Sequence, residues 1–167
     1  MRILFIGTNI NTYHPCKVYP MGIGALSAFL KQHGHTVQVF TAEKLQQLDA
    51  LPDVLATFKP ELVGYSVISC QSPNIGLLAK TVKVWDAAVP FSCGGAHAAL
   101  SPEEVLKLDG VDAVCIGNGE HAILEYIQSI QEKSFRTDIK GFWFNKDGEI
   151  IQNDLRPFNQ NLDEYPV

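Results

Sequence analysis

Five short runs of continuous apolar, largely β-branched residues, each followed by a segment with helical spacing, constrain this chain more than any other feature. The runs fall at residues 3–6, 36–40, 62–65, 90–93 and 113–116. A strand with one wet face alternates apolar and polar side chains, whereas an unbroken apolar run fits a strand covered on both faces, as in a parallel sheet. The intervening segments supply the cover. Residues 22–34 place Ile23, Leu26, Phe29 and Leu30 on one face, with Gly34 as the stop. Residues 43–58 carry Leu45, Leu48, Leu51, Leu55 and Phe58, and Pro52 is expected to break or restart that helix. Helices are predicted at 73–87 and at 103–108, the second opened by a Ser101-Pro102-Glu103-Glu104 cap. A last helix over 119–131 buries Ala122, Ile123, Tyr126, Ile127 and Ile130. Five β–α repeats in this order predict an α/β fold with right-handed crossovers.

The pattern changes after residue 132. Residues 139–144, the turn Asn145-Lys146-Asp147-Gly148 and residues 149–152 read as a β-hairpin, and the polar, proline-punctuated NDLRPFNQNLDEYPV reads as a connector. The expected division is therefore an α/β domain over 1–135 and a hairpin with connector over 136–167. At 167 residues, 46% hydrophobic and 19% charged, the chain has enough apolar material for one core. A net charge of −5 without a basic cluster argues against a nucleic-acid partner. Cys16, Cys70, Cys93 and Cys115 form no CxxC pair, so no zinc-ribbon or thioredoxin-type motif is present. The opening MRILFIG is strand-like rather than a signal peptide, and no apolar run reaches membrane length. A cytoplasmic location and no membrane partner are expected.

In an open parallel sheet, ligands bind outside the carboxyl ends of the strands. The loops on that edge share one character. Thr8, Asn9 and the segment to Gly22-Ile23 follow the first strand, Ser66 to Ser72 the third, Gly94-Gly95-Ala96-His97 the fourth, and Gly117-Asn118-Gly119-Glu120-His121 the fifth. Glycine at a strand end lets backbone approach a flat ligand closely, although a Gly-Gly pair also builds a tight turn with no ligand at all. Ser66 and Ser69 either hydrogen-bond an inserted group or form a turn. Glu120 either accepts from a ligand hydroxyl or stabilises its helix N-terminus. His14 and His97 stand in the same loops and favour a polar contact over metal ligation. GxxxxGK[ST], GxGxxG and GxSxG are all absent.

Several fragments together resemble the N-terminal cobalamin-binding domain of B12-dependent radical SAM enzymes. They are Pro20-x-Gly22-Ile23-x-x-Leu26, Leu30-x-x-x-Gly34-His35-x-Val37, Pro60-Glu61-Leu62-Val63-Gly64-Tyr65-Ser66, Gly94-Gly95-x-His97 and Pro102-Glu103. Gly117-Asn118-Gly119-Glu120 resembles the family's Gly-Glu-Gly-Glu element with asparagine in place of one glutamate, and Asn161 to Pro166 resembles the connector before the radical SAM barrel. The resemblance implies a flavodoxin-like (Rossmann-like), doubly wound five-stranded parallel sheet. It implies cobalamin bound with its dimethylbenzimidazole tail drawn into the domain. Ser66-Val67-Ile68 and Gly94-Gly95 would line the tail, with Ser69 and His97 nearby. Thr8, Asn9 and the Gly22-Ile23 loop would face the corrin, and Gly117, Gly119 and Glu120 the sugar side. The Asp-x-His-x-x-Gly element that supplies a cobalt ligand in other cobalamin domains is absent, so no protein metal ligand and no catalytic residue is assigned. CxxxCxxC is absent as well. The resemblance therefore implies that a [4Fe–4S] cluster and S-adenosylmethionine belong to a C-terminal radical SAM domain of the same polypeptide, beyond this sequence. The full enzyme would transfer methyl groups or perform a radical oxidative cyclisation. A flavin- or nucleotide-binding module of the same fold, or a ligand-free regulatory domain, are the competing readings. Gly95→Leu is expected to abolish binding while sparing the fold.

Overall fold

In the computed structural model, residues 1–10, 20–161, 163, 165 and 166 are described; His14 and Cys16 lie outside them. The five apolar runs form strands β1 (Arg2–Thr8), β2 (Thr36–Ala42), β3 (Leu62–Ser66), β4 (Phe91–Gly94) and β5 (Ala113–Cys115). All pair in parallel, in the order β2-β1-β3-β4-β5. The chain winds outward in both directions from β1, which puts the switch point between β1 and β3.

Alternation along each strand divides the core in two. Helices α1 (Met21–Gln32) and α6 (Glu120–Gln131) cover the face bearing Ile3, Phe5, Leu62 and Ala113. Helices α2 (Leu51–Phe58), α3 (Ile75–Trp85), α4 (Ala96–Leu100) and α5 (Pro102–Leu106) cover the face bearing Leu4, Ile6, Val63, Tyr65 and Val114. The expected break at Pro52 takes the form of a 3-10 turn, Leu45–Ala50, followed by α2 with Pro52 in its first turn. There a missing N–H sacrifices no helical hydrogen bond. Another 3-10 turn, Ser69–Asn74, holds Pro73 ahead of α3. The segment after Gly95, read from the sequence as a loop, is the short helix α4, and Ser101 makes no side-chain cap.

The hairpin consists of β6 (Phe142–Lys146) and β7 (Glu149–Ile151) and continues the same sheet. Strand β6 runs antiparallel to β5, with Cys115 opposite Phe142. Its turn narrows to Asp147-Gly148, with φ of 55° and 89°, the positive values that a two-residue type I′ turn requires. Beyond β7 the chain returns along the sheet edge as a strap. The Gly141 N–H donates to the Asp154 carbonyl at 2.8 Å. Arg156 Nε donates to the Lys140 carbonyl at 3.0 Å, and its Nη2 pairs with Glu125 on α6 at 2.5 Å. Tyr165 then stands edge-on to Phe29 of α1, with centroids 5.7 Å apart, and lies 5.9 Å from His121 of α6. Among the described residues, no helix is long and apolar enough to cross a membrane.

Candidate functional site

On the face covered by α1 and α6, the carboxyl halves of adjacent strands carry almost nothing larger than a thiol. Register aligns two rows across the sheet. Gly7, Ser66 and Gly94 are in register at the strand ends, with Cys115 on the neighbouring strand; two residues deeper run Phe5, Gly64, Ser92 and Ala113. Small side chains here leave the helices standing off the sheet. The gap is a cavity of about 270 Å³ between α1 and α6, floored by Ser66, Gly94 and Cys115 of the outer row and Phe5, Gly64 and Ser92 of the inner one. That is below the roughly 300–1,000 Å³ of a pocket that swallows a whole drug-sized ligand, so it suits one arm of a larger molecule.

Of the residues singled out from the sequence, Gly22, Ile23, Ser66, Gly94, Gly95, Gly117, Gly119 and Glu120 line this cavity. Gly119 packs closely, since a Cβ there would lie 3.4 Å from Leu26 and 3.5 Å from the Cys115 sulfur. Gly94 has open space in front of it, a Cβ meeting nothing nearer than Cys115 Cβ at 3.8 Å. Gly95 is different. Its φ is +91° and a Cβ would stand 2.9 Å from the Val67 carbonyl oxygen and 3.0 Å from the Val67 nitrogen. The His97 N–H donates to that same carbonyl at 3.1 Å. Gly95 is therefore needed for the β4–α4 turn itself, and the expectation that Gly95→Leu spares the fold is corrected.

Thr8, Asn9, Ile68, Ser69 and His97 are outside the cavity. Thr8 is buried on the opposite face of the sheet, where its hydroxyl meets the Tyr65 hydroxyl at 2.8 Å and its carbonyl accepts from Gln71 Nε2. Burial, offset in part by the Thr8 contact, pushes the Tyr65 hydroxyl up to about 12. The Asn9 N–H continues the β1–β2 ladder to the Ala42 carbonyl at 2.8 Å. Ile68 is exposed, and the exposed Ser69 and the half-buried His97 meet at 3.3 Å between Oγ and Nδ1, forming a rim on the same edge.

Reading loops alone misses the strand residues that make the floor. Gly64, Ser92, Cys115 and Phe5 line the cavity, as do Leu26 and Ile123 from the helices and Phe142 from β6. The period-two spacing of Gly64-x-Ser66, Ser92-x-Gly94 and Ala113-x-Cys115 is the signal that would have found three of them. Gly64 lies directly under the Phe5 ring, two of whose carbons would be 2.8 Å from a Cβ at that position. Ser92 Oγ donates to the Val63 carbonyl at 3.4 Å. Burial first, and the Glu120 carboxylate second, push the Cys115 thiol up to about 12, so it is a neutral wall at physiological pH.

Glu120 is the group that this apolar wall does not satisfy. Its Oε2 is buried without a hydrogen-bond partner. A buried carboxylate oxygen left unpaired is costly, and Glu120 is one of the residues that line the cavity. Among the described residues, no group of three or more His, Cys, Asp or Glu side chains is placed to hold a metal ion.

The relatives and solved structures that follow are each longer than this chain. The chain is 26% identical over 156 residues to the cytidylyl-2-hydroxyethylphosphonate methyltransferase of Streptomyces wedmorensis, covering 81% of this chain and 29% of that protein. It is 26% identical over 179 residues to the anaerobic magnesium-protoporphyrin IX monomethyl ester cyclase of Rubrivivax gelatinosus, covering 98% and 31%. It thus spans about a third of these relatives. Its fold matches the cobalamin-dependent S-adenosylmethionine radical enzyme OxsB, solved with aqua-cobalamin and S-adenosylmethionine bound, at a TM-score of 0.76 and 17% identity over 94% of this chain and 22% of that one. The radical S-adenosylmethionine methyltransferase TsrM of Kitasatospora setae gives 0.74 and 18% over 92% and 30%. Residues 10–127, a span holding most of the cavity lining, match the family described as the B12 binding domain, and the chain belongs to that family.

Proposed function

We propose that this chain is the cobalamin-holding module of a B12-dependent radical SAM enzyme, with the cofactor's nucleotide tail in the α1–α6 cavity and the corrin across the carboxyl edge. The observation that carries this reading is a floor of Gly64, Ser66, Ser92 and Gly94 in the same lining as Glu120, whose carboxyl has an oxygen without a hydrogen-bond partner. The floor admits a flat base, and Glu120 accepts a hydrogen bond that a sugar hydroxyl offers. The exposed Ile68 and Ser69 and the half-buried His97 then meet the corrin side, as does Asn9. Cobalamin, when bound, supplies a cobalt centre for methyl transfer or one-electron chemistry. The protein's part is to hold the tail, exclude water from it and fix the corrin's orientation.

The relatives support a wider assignment for the whole protein. They are about three times longer and include a methyltransferase and a cyclase. In this reading the strap over residues 152–166 leads to a radical SAM domain that holds the [4Fe–4S] cluster and S-adenosylmethionine. The complete enzyme then carries out methyl transfer or oxidative cyclisation in the cytoplasm. The direct test is to incubate the chain with hydroxocobalamin, remove free cofactor by gel filtration and record the visible spectrum. A stoichiometric corrin spectrum on the protein peak is expected. A colourless peak from folded protein refutes the assignment.

A further inference from the structure

We infer that the cavity reads the lower base of its cobamide, favouring 5,6-dimethylbenzimidazole over a purine such as adenine. This rests on the cobalamin reading above and concerns what the inner half of the cavity accepts.

Polarity in the cavity is layered. The upper layer, at the strand ends, holds Ser66, Asn118 and Glu120. Glu120 belongs there because it opens α6 and acts on Cys115, whose strand position lies beside the Gly94 row. The inner layer is made by Phe5, Gly64 and Ser92 from the sheet, with Leu26 and Ile123 one helical turn in from the mouth. Phe5 and Ile123 are at most 4% exposed. Phe5 lays its ring across Gly64, so the floor there is an aromatic surface. The hydroxyl in this layer, Ser92 Oγ, already donates to the Val63 carbonyl.

An inner layer of this kind accepts a base with apolar edges and has no free side-chain donor for the ring nitrogens of a purine. The benzo edge of dimethylbenzimidazole carries two methyl groups, which gain from burial. Adenine would carry its ring nitrogens into the same space, where the Ser92 proton is already committed to Val63 and no other side chain of this layer donates; its exocyclic amine would meet only the lone pairs of that one hydroxyl. A buried ring nitrogen left without a donor weakens binding by roughly tenfold to a hundredfold. The sugar hydroxyls are common to both cobamides, so Glu120 does not distinguish them.

The experiment titrates the chain with three corrinoids and compares dissociation constants from the visible spectra. They are cobalamin, adeninyl cobamide, and cobinamide, which has no nucleotide tail. The expected order is cobalamin tightest by tenfold or more, with adeninyl cobamide and cobinamide both weaker. If adeninyl cobamide binds as tightly as cobalamin and both exceed cobinamide, the base selectivity is overturned while the cobalamin reading stands. If cobalamin binds no tighter than cobinamide, the tail is not in the cavity and the inference falls with that placement. Failure of all three to bind overturns both.

Discussion

Gly94→Leu separates the binding role of the cavity from its structural role. Gly94 ends β4 with a backbone any residue can adopt, and a Cβ there makes only ordinary contact with Cys115, at 3.8 Å to Cβ and 4.0 Å to the carbonyl oxygen. Its direction is into the cavity, as expected for the residue two positions after Ser92 on the same face. A leucine side chain fills about as much room as three water molecules at roughly 30 Å³ each, on the order of a third of the 270 Å³ present. The tail base then cannot reach the inner layer. Burying an aromatic group of that size is worth about 1.5–3 kcal/mol, or roughly 10- to 150-fold in Kd. The fold should persist, because a strand gains rather than loses when glycine is replaced. The assay is hydroxocobalamin titration alongside circular dichroism and thermal melting. A variant that melts like the parent and binds cobalamin with unchanged affinity would refute the placement of the tail. Gly95→Leu cannot serve here, because its Cβ meets the Val67 backbone and lost binding would report a broken turn.

Other consequences are open to direct measurement. Glu120→Gln removes a buried, unpartnered carboxylate oxygen, so the free protein should melt within a few degrees of the parent while cobalamin binding weakens by about tenfold, the lower part of what a hydrogen bond to a charged group is worth. Unchanged binding would remove Glu120 from the site. The buried thiols of Cys93 and Cys115 and the hydroxyls of Tyr65 and Tyr126 all have raised pKa values. Between about pH 9 and 12 the unfolded chain releases protons that the folded chain keeps. Stability is therefore full below that window and falls through it, by up to ~1.4 kcal/mol per pH unit for each group. Urea midpoints across this range should drop, and more shallowly in a Cys93→Ala/Cys115→Ala variant; a flat profile contradicts the burial described. Arg156→Ala removes the bonds to Lys140 and Glu125. Amide exchange at Gly141, which donates to Asp154, should speed up about threefold to tenfold, and unaltered exchange would mean the strap is held elsewhere.

The parallel sheet is readable in the sequence because burial on both faces erases alternation, leaving unbroken runs such as Leu4-Phe5-Ile6. The break at Pro52 is readable for a local reason, the missing N–H. The cavity floor is harder to read, since it depends on which face each strand residue takes and which strands lie side by side. Gly64, Ser92 and Cys115 are unremarkable singly, and only register aligns them. Thr8 illustrates the same point. It follows Gly7 and looks like a loop residue facing the ligand, yet one step of strand alternation sends it to the Tyr65 side. The Gly94-Gly95 pair splits between two causes that the sequence cannot separate, an open approach at the first and a backbone contact at the second. Helix α4 is five residues long, too short for periodicity to mark it.

The cluster of Phe29, His121 and Tyr165 bears on how long a guest stays. Its rings join α1 to α6, with Phe29 and His121 5.4 Å apart and Tyr165 against both, and these are the helices that wall the cavity. If a base seated in the cavity were released by parting these helices, aromatic contacts worth about 0.5–1.5 kcal/mol each would have to break. That cost enters the barrier for release whether or not it changes the equilibrium. By that route, residence time would depend partly on Tyr165, a residue of the strap that does not itself line the cavity.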